Sequence, residues 1–184
     1  MNLRSNRFAR FFALFVLLFS LPGCGPSAED RRDRVLTEAN RLLKRQTTIA
    51  ERWAEEFNQV LSQQNRAQFP ANRDWLVSQV EKITPLVDES SRLGKEAAEK
   101  YEEASRLMST DQDKKGMALI AASLRTDVEN YELFKAQAQL VSDSTINDAK
   151  GLNEKFVYFN GLIQQKERER EEQFQEGRRL LLKK

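Results

Sequence analysis

Apolar residues recur along this chain at alternating intervals of three and four, the spacing that lines up one face of an α-helix. In the first such segment, from residue 29 to about residue 67, the stripe runs Leu36, Ala39, Leu43, Ala50, Trp53, Phe57 and Val60. Gln46 is a polar residue inside that stripe, and Val35, Leu42, Ile49 and Leu61 widen it beyond a two-stranded seam, as a bundle requires. Ser27-Ala28-Glu29-Asp30 reads as a capping box that opens the helix. Pro70 with Asn72 marks the turn that ends it.

A second helix is predicted from about Arg73 to Met108, with Leu76, Val80, Ile83, Val87, Ala97, Tyr101, Ala104 and Met108 inward. Pro85 lies within it, and Thr84-Pro85 suits an N-cap followed by proline at the first helical position. Two readings stay open there, one kinked helix or two helices, and the in-phase spacing across Pro85 favours the kink. Thr110-Asp111-Gln112-Asp113 is a second capping box. The helix behind it carries Met117, Ile120, Leu124, Val128, Tyr131, Ala138 and Val141. Thr145-Ile146-Asn147-Asp148 opens a fourth, with Leu152, Phe156, Phe159, Leu162 and Ile163. From Gln164 to Gln173 the pattern gives way to charged and amide residues alone.

No segment alternates apolar and polar at the strand period, and no Asn-Gly or Asp-Gly hairpin signal appears. The expected fold is therefore all-α: an elongated antiparallel four-helix bundle with up-down-up-down topology. Helices of about 32–39 residues would each span about 50–58 Å at 1.5 Å per residue. In that topology the C-terminus returns to the end where the first helix begins. Arg178, Arg179, Lys183 and Lys184, around Leu180, Leu181 and Leu182, then lie beside Arg31, Arg32 and Arg34.

The first 23 residues follow a different rule. Arg4, Arg7 and Arg10 come without an acid, and Phe11–Leu21 is apolar except for Ser20. A charged start and a short apolar run before small residues form a secretory signal peptide. The run is about half of the roughly 20 residues that cross a bilayer as a helix. Leu21-Pro22-Gly23-Cys24 resembles the lipobox of bacterial prolipoproteins, and Cys24 is the one cysteine of the chain. Pro22 departs from that family's pattern, which more often has alanine or serine there. The resemblance implies cleavage before Cys24, acylation of its thiol and, with three acyl chains, lasting attachment to a membrane. It divides the chain into a signal peptide (1–23), a lipidated cysteine with a short tether (24–28) and a helical domain (29–184).

That division changes the charge. Removing residues 1–23 leaves 161 of 184 residues and turns 30 basic against 28 acidic residues into 27 against 28. A near-neutral domain does not read as a general nucleic-acid binder. Basic residues at a membrane surface are each worth about 1 kcal/mol before screening, so Arg178, Arg179, Lys183 and Lys184 are candidate headgroup contacts.

The chain contains no histidine, which removes histidine acid–base chemistry, Ser-His-Asp and Cys-His sites and nearly every transition-metal site. No glycine-rich phosphate loop is present. The acids at Glu55-Glu56, Glu102-Glu103 and Glu171-Glu172 read as solvated faces, so no catalytic residue, cofactor or metal is expected. Most aromatics fall on the inward stripes. Phe69, Trp75, Phe134 and Tyr158 do not, and they are the candidate partner contacts.

The reading that results is a non-catalytic, membrane-anchored scaffold of the cell envelope that binds or assembles another envelope protein. By resemblance to lipoproteins of two-membrane bacteria, Gly25 after Cys24 favours the outer membrane, facing the periplasm. One alternative is a structural spacer or self-associating coiled coil, its polar run from Gln164 forming an interchain helix and the protein a homo-oligomer. Another is a carboxylate-based hydrolase, which needs two carboxylates about 5–9.5 Å apart across a cleft; a tightly packed bundle would offer no such cleft.

Overall fold

The computed structural model describes residues 27–182, and its elements are helical throughout. They are α1 (Ala28–Val60), the short α2 (Gln63–Ala67), α3 (Arg73–Arg106), α4 (Asp111–Gln139), a 3-10 turn (Leu140–Ser142) and α5 (Ala149–Leu182). The long helices have 33, 34, 29 and 34 residues, or about 44–51 Å at 1.5 Å per residue.

Side-chain pairings fix their directions. Asn40, Gln46 and Trp53 of α1 meet Tyr101, Gly94 and Ser90 of α3, so the numbers run oppositely. Glu102 and Asp88 of α3 pair with Arg125 and Lys135 of α4. Gly116, Thr126 and Gln137 of α4 meet Gly177, Gln173 and Asn160 of α5. The result is the expected antiparallel, up-down-up-down helical bundle. It is not closed, however. Backbone packing joins α1 to α3, α3 to α4 and α4 to α5, while α1 and α5 do not pack along each other. The expectation of a bundle without a cleft is thereby corrected.

The core lies in two apolar clusters. One is built around Trp53, Phe57, Leu76, Ile83, Tyr131, Val141 and Phe156. The other gathers Ala39, Leu42, Leu93, Ala97, Tyr101, Ala121 and Leu124. Between them sits a polar layer of Gln46, Ser90, Ser91 and Asn130, each less than one-twentieth exposed.

Several helix ends differ from the reading of the pattern. The Ser27–Asp30 capping box forms with both of its bonds. The first helix stops at Val60 instead of running to Ala67. Leu61 turns into the core, Ser62 caps α2, and the Asn65 amide donates to the carbonyls of Gln59 and Val60, covering the end of α1. Pro85 does not split α3. It is exposed, as is Glu81, the residue whose carbonyl loses its helical partner to the proline. At the fourth helix the cap is not Thr145 but Asp148, whose Oδ1 accepts from the Gly151 N–H at 2.7 Å. Thr145 bonds instead to Asp143 through its N–H and its hydroxyl.

Those two bonds, with the Lys155 ammonium at 3.0 Å, favour the charged form of Asp143 and lower its pKa to about 2. Because the folded pKa is depressed, the stabilisation is present above the ordinary carboxylate range and is lost as pH falls from about 3.8 towards about 2. Carboxyl NMR titration should place the Asp143 midpoint near 2; a midpoint near 3.8 would show that the Thr145 and Lys155 contacts do not persist in solution.

The α4–α5 contact depends on two glycines. A Cβ on Gly177 would meet the Gly116 carbonyl oxygen at 2.8 Å, a backbone atom that cannot step aside. Gly161, on the same helix, has nothing within 4 Å of that position. Gly161→Ala should therefore stabilise the fold by about 0.5–1 kcal/mol through helix propensity. Gly177→Ala should destabilise it by about 1–3 kcal/mol because α4 and α5 must part. Urea unfolding of both variants tests the contrast, and equal effects would mean that the close approach is absent.

Candidate binding groove

The groove left between α1 and α5 has a volume of about 440 Å³. Its α1 wall is Ala50, Glu51, Trp53 and Ala54. The floor is α4, with Asp127, Asn130, Tyr131 and Phe134, and the α5 wall is Glu167, Arg170 and Glu171. The floor is built partly of aromatic rings. Trp53 stands edge-on to Tyr131 and to Phe134 at centroid separations of 5.4 and 5.3 Å, and Phe57 to Phe134 at 5.6 Å.

Its polar centre is a three-residue network. Gln46, 1% exposed, donates through Nε2 to Asp127 Oδ2 at 3.0 Å and to the Tyr131 hydroxyl at 2.8 Å. Tyr131 in turn donates to Asp127 Oδ2 at 2.8 Å. Burial, reinforced by the Asp127 charge, drives the Tyr131 pKa far upward, so the phenol keeps its proton and remains a donor. Gln46 reaches these partners because α3 has Gly94 opposite. A Cβ there would come within 3.3 Å of Gln46 Nε2 and 2.8 Å of a Val128 methyl.

Two oxygens of this floor have capacity left. Among the described residues Asp127 Oδ1 has only Arg170 Nε, at 3.9 Å, which is an ion pair longer than a hydrogen bond. Asn130 is 4% exposed and, among the described residues, its Oδ1 is buried without a hydrogen-bond partner. The α4–α5 register explains the orphan. Gly116, Ser123, Asn130 and Gln137 recur every seven residues along α4, as do Phe156, Ile163, Arg170 and Gly177 along α5. With Gly116 against Gly177 and Gln137 bonded to the Phe156 carbonyl, Asn130 falls opposite Ile163, which has no donor to offer.

The residues singled out in the sequence are dispersed. Leu21, Pro22, Gly23 and Cys24 lie outside the described residues, as do Lys183 and Lys184. Arg178 and Arg179 are exposed in the last turns of α5. The Arg179 guanidinium is paired with Glu176 at 2.5 Å and Arg178 stands over the Phe174 ring. Phe69 is corrected as a partner contact. It is 4% exposed, packed in the core under the Arg73 guanidinium, and presents no surface. Phe134 is a half-buried member of the aromatic floor of the groove. Trp75 and Tyr158 stay exposed at 46% and 65%, on different helices.

Asp127, Asn130 and Tyr131 escaped the reading of the pattern as site residues, because single buried polar residues in a helical stripe have no motif. Gln46 was the visible signal. The charged run from Gln164 has partners both along its own helix, through Lys166–Glu169, and on the neighbouring one. Lys166 pairs with Glu129 at 2.6 Å and Gln173 bonds Thr126 at 2.9 Å, so the run is held against α4 of its own chain.

Among the described residues no group of His, Cys, Asp and Glu is arranged to hold a metal ion, and no helix is long and apolar enough to cross a membrane. Compared with protein-family models, curated proteins and solved structures, the chain matches none.

The network supplies a stability test. Tyr131→Phe removes a donor to Asp127 and an acceptor from Gln46 while keeping the ring, and should cost about 1–3 kcal/mol. Gln46→Ala combined with Tyr131→Phe should cost less than the two single changes together, since both break one network. Urea denaturation of the three variants measures this, and a loss below about 0.5 kcal/mol for Tyr131→Phe would remove the network from the account.

Proposed function

We propose that the protein is a lipid-anchored scaffold of the cell envelope, a non-catalytic helical domain that holds a docking groove for a partner protein near a membrane. One observation carries the anchor. The chain's single cysteine, Cys24, follows a basic and then apolar leader within Leu21-Pro22-Gly23-Cys24, and a capped helix begins only three residues later at Ser27. So short a tether would keep the domain close to the bilayer.

The topology is compatible with that arrangement. The start of α1, the end of α3, the start of α4 and the end of α5 share one end of the bundle, through Glu38–Lys100, Ser105–Lys114 and Gln112–Leu180. Arg178 would then be available to anionic headgroups, whereas the charge of Arg179 is already shared with Glu176. The opposite end of the groove would face away from the membrane. Gly25 is the basis for assigning the outer membrane, facing the periplasm, where a cell has two membranes.

The scaffold reading rests on the groove, where apolar and aromatic side chains line a trough edged by the carboxylates of Glu51, Glu167 and Glu171. The anchor is tested by intact mass of protein extracted from membranes, beside a Cys24→Ala variant fractionated in parallel. The wild type should begin at a triacylated Cys24, and the variant should remain uncleaved. A wild type that keeps residues 1–23, or a cleaved and soluble Cys24→Ala protein, would end the anchor reading.

A further inference from the structure

We propose that the outward face of α5 pairs with the same face of a second copy of this chain, antiparallel and two-fold symmetric about Gly161. This face is distinct from the α1–α5 groove, so the inference goes beyond the scaffold reading.

The face is defined by what α5 buries. Phe156, Ile163, Arg170 and Gly177 follow the seam with α4. On the opposite side Glu154, Tyr158, Gly161, Gln165, Arg168 and Glu172 alternate by four and three, the spacing of one helical stripe, and all six are exposed. Val157 stands beside Tyr158, and the two are 70% and 65% exposed, against 46% for Trp75. At Gly161, one turn on, a Cβ would meet nothing within 4 Å. The backbone is bare there, and a tyrosine ring from another copy can lie against it.

The occupant is identified by charge. About Gly161 the stripe sets opposite charges at equal distances. Glu154 is seven residues before it and Arg168 seven after, while Lys150 is eleven before and Glu172 eleven after. In an antiparallel pair centred on Gly161 each Glu154 faces the other copy's Arg168, and each Lys150 the other copy's Glu172. The two-fold axis makes each of these pairs twice. Val157 and Tyr158 then fall beside the other copy's Gln164 and Gln165, whose methylenes cover them. A parallel pair in register would set Glu154 against Glu154 and Arg168 against Arg168, which like charges oppose. Among the described residues Glu154 has an ion pair to Lys150 at 3.9 Å, and Arg168 and Glu172 have none. Their neighbours Lys166, Glu169, Arg170 and Glu171 are paired within the chain.

With the domain anchored as proposed above, the lipidated ends of an antiparallel pair point apart. The contact therefore does not form between copies standing upright on one bilayer.

The purified full chain is followed by sedimentation velocity in density-matched non-ionic detergent over a concentration series. It should dimerise with a Kd of about 10–100 μM, as expected of an interface below the standard size. Glu154→Arg and Arg168→Glu should each weaken the dimer at least about tenfold, since each sets two like-charge pairs in the contact. Both positions are exposed, so circular dichroism and melting should match wild type. Mixed in equal amounts, the two single variants should pair with each other about as tightly as wild type with itself, because each charge then meets its opposite. The double variant should regain self-pairing for the same reason. Tyr158→Ser should weaken the dimer about tenfold through lost apolar contact.

A chain that stays monomeric throughout the series would overturn the proposal. So would single variants that dimerise as well as wild type, since the contact would then lie on another face, or a mixture of them that stays monomeric. None of these readouts depends on Cys24 or on the groove, so the pairing and the scaffold reading fail separately.

Discussion

The architecture depends on α5 having one face that it can bury and on α4 taking that face. Gly116 and Gly177 bring the two backbones together near one end, and Gln137 bonds across at the other. Between these points the contact is polar, through Thr126–Gln173 and Glu129–Lys166. From Gln164 to Gln173 α5 has no apolar residue to turn towards α1, and its remaining apolar residues, Phe174 and Leu180–Leu182, come only beyond that run. A helix so composed gains nothing from closing on an apolar wall and would lose the hydration of its charges. The fourth side of the bundle stays open for that reason, and the groove is a consequence of composition.

The polar layer has a cost and a use. Gln46, Asp127 and Tyr131 satisfy one another, but Ser91 Oγ and Asn130 Oδ1 remain unpaired in the described chain. Leucines in such a layer would join the two apolar clusters into one. A satisfied network supplies something leucines would not, since Gln46 finds its partners only when α1 and α4 are in one register. The same role for buried polar groups is best attested in coiled coils. Here it fixes the height of the aromatic floor against the α1 wall.

Much of the fold could be read from the pattern. The stripes beginning at Leu36, Leu76, Met117 and Leu152 give four helices, and the Ser27 capping box forms where the pattern puts it. What escaped had no local signal. Leu61-Ser62 breaks a helix without glycine or proline because Leu61 is drawn into the core and Asn65 folds back to cap, both tertiary effects. Asp148 prevailed over Thr145 as the cap because Asp143 engages Thr145 first. The open side was not legible either. Periodicity says which face of each helix is apolar, but whether α1 and α5 meet depends on how two such faces are shared among four helices. Gln46 marked the site, whereas Asp127 and Asn130 needed the α4–α5 register before their placement had meaning.

That register also decides what the orphan means. Asn130 occupies the seven-residue series of Gly116, Ser123 and Gln137, small or polar residues that let α5 lie close. Alanine would serve the packing as well and would leave no acceptor unmet, at a saving of about 1–3 kcal/mol. An amide there is costly, because Ile163 across the seam can never provide a donor. Asp127 differs. Its Oδ2 is fully engaged within the fold while its Oδ1 is held loosely by Arg170 at 3.9 Å. One oxygen belongs to the buried network and the other to a long ion pair. Placed a turn apart on α4, the two residues show how one register satisfies some buried polar atoms and leaves another unmet.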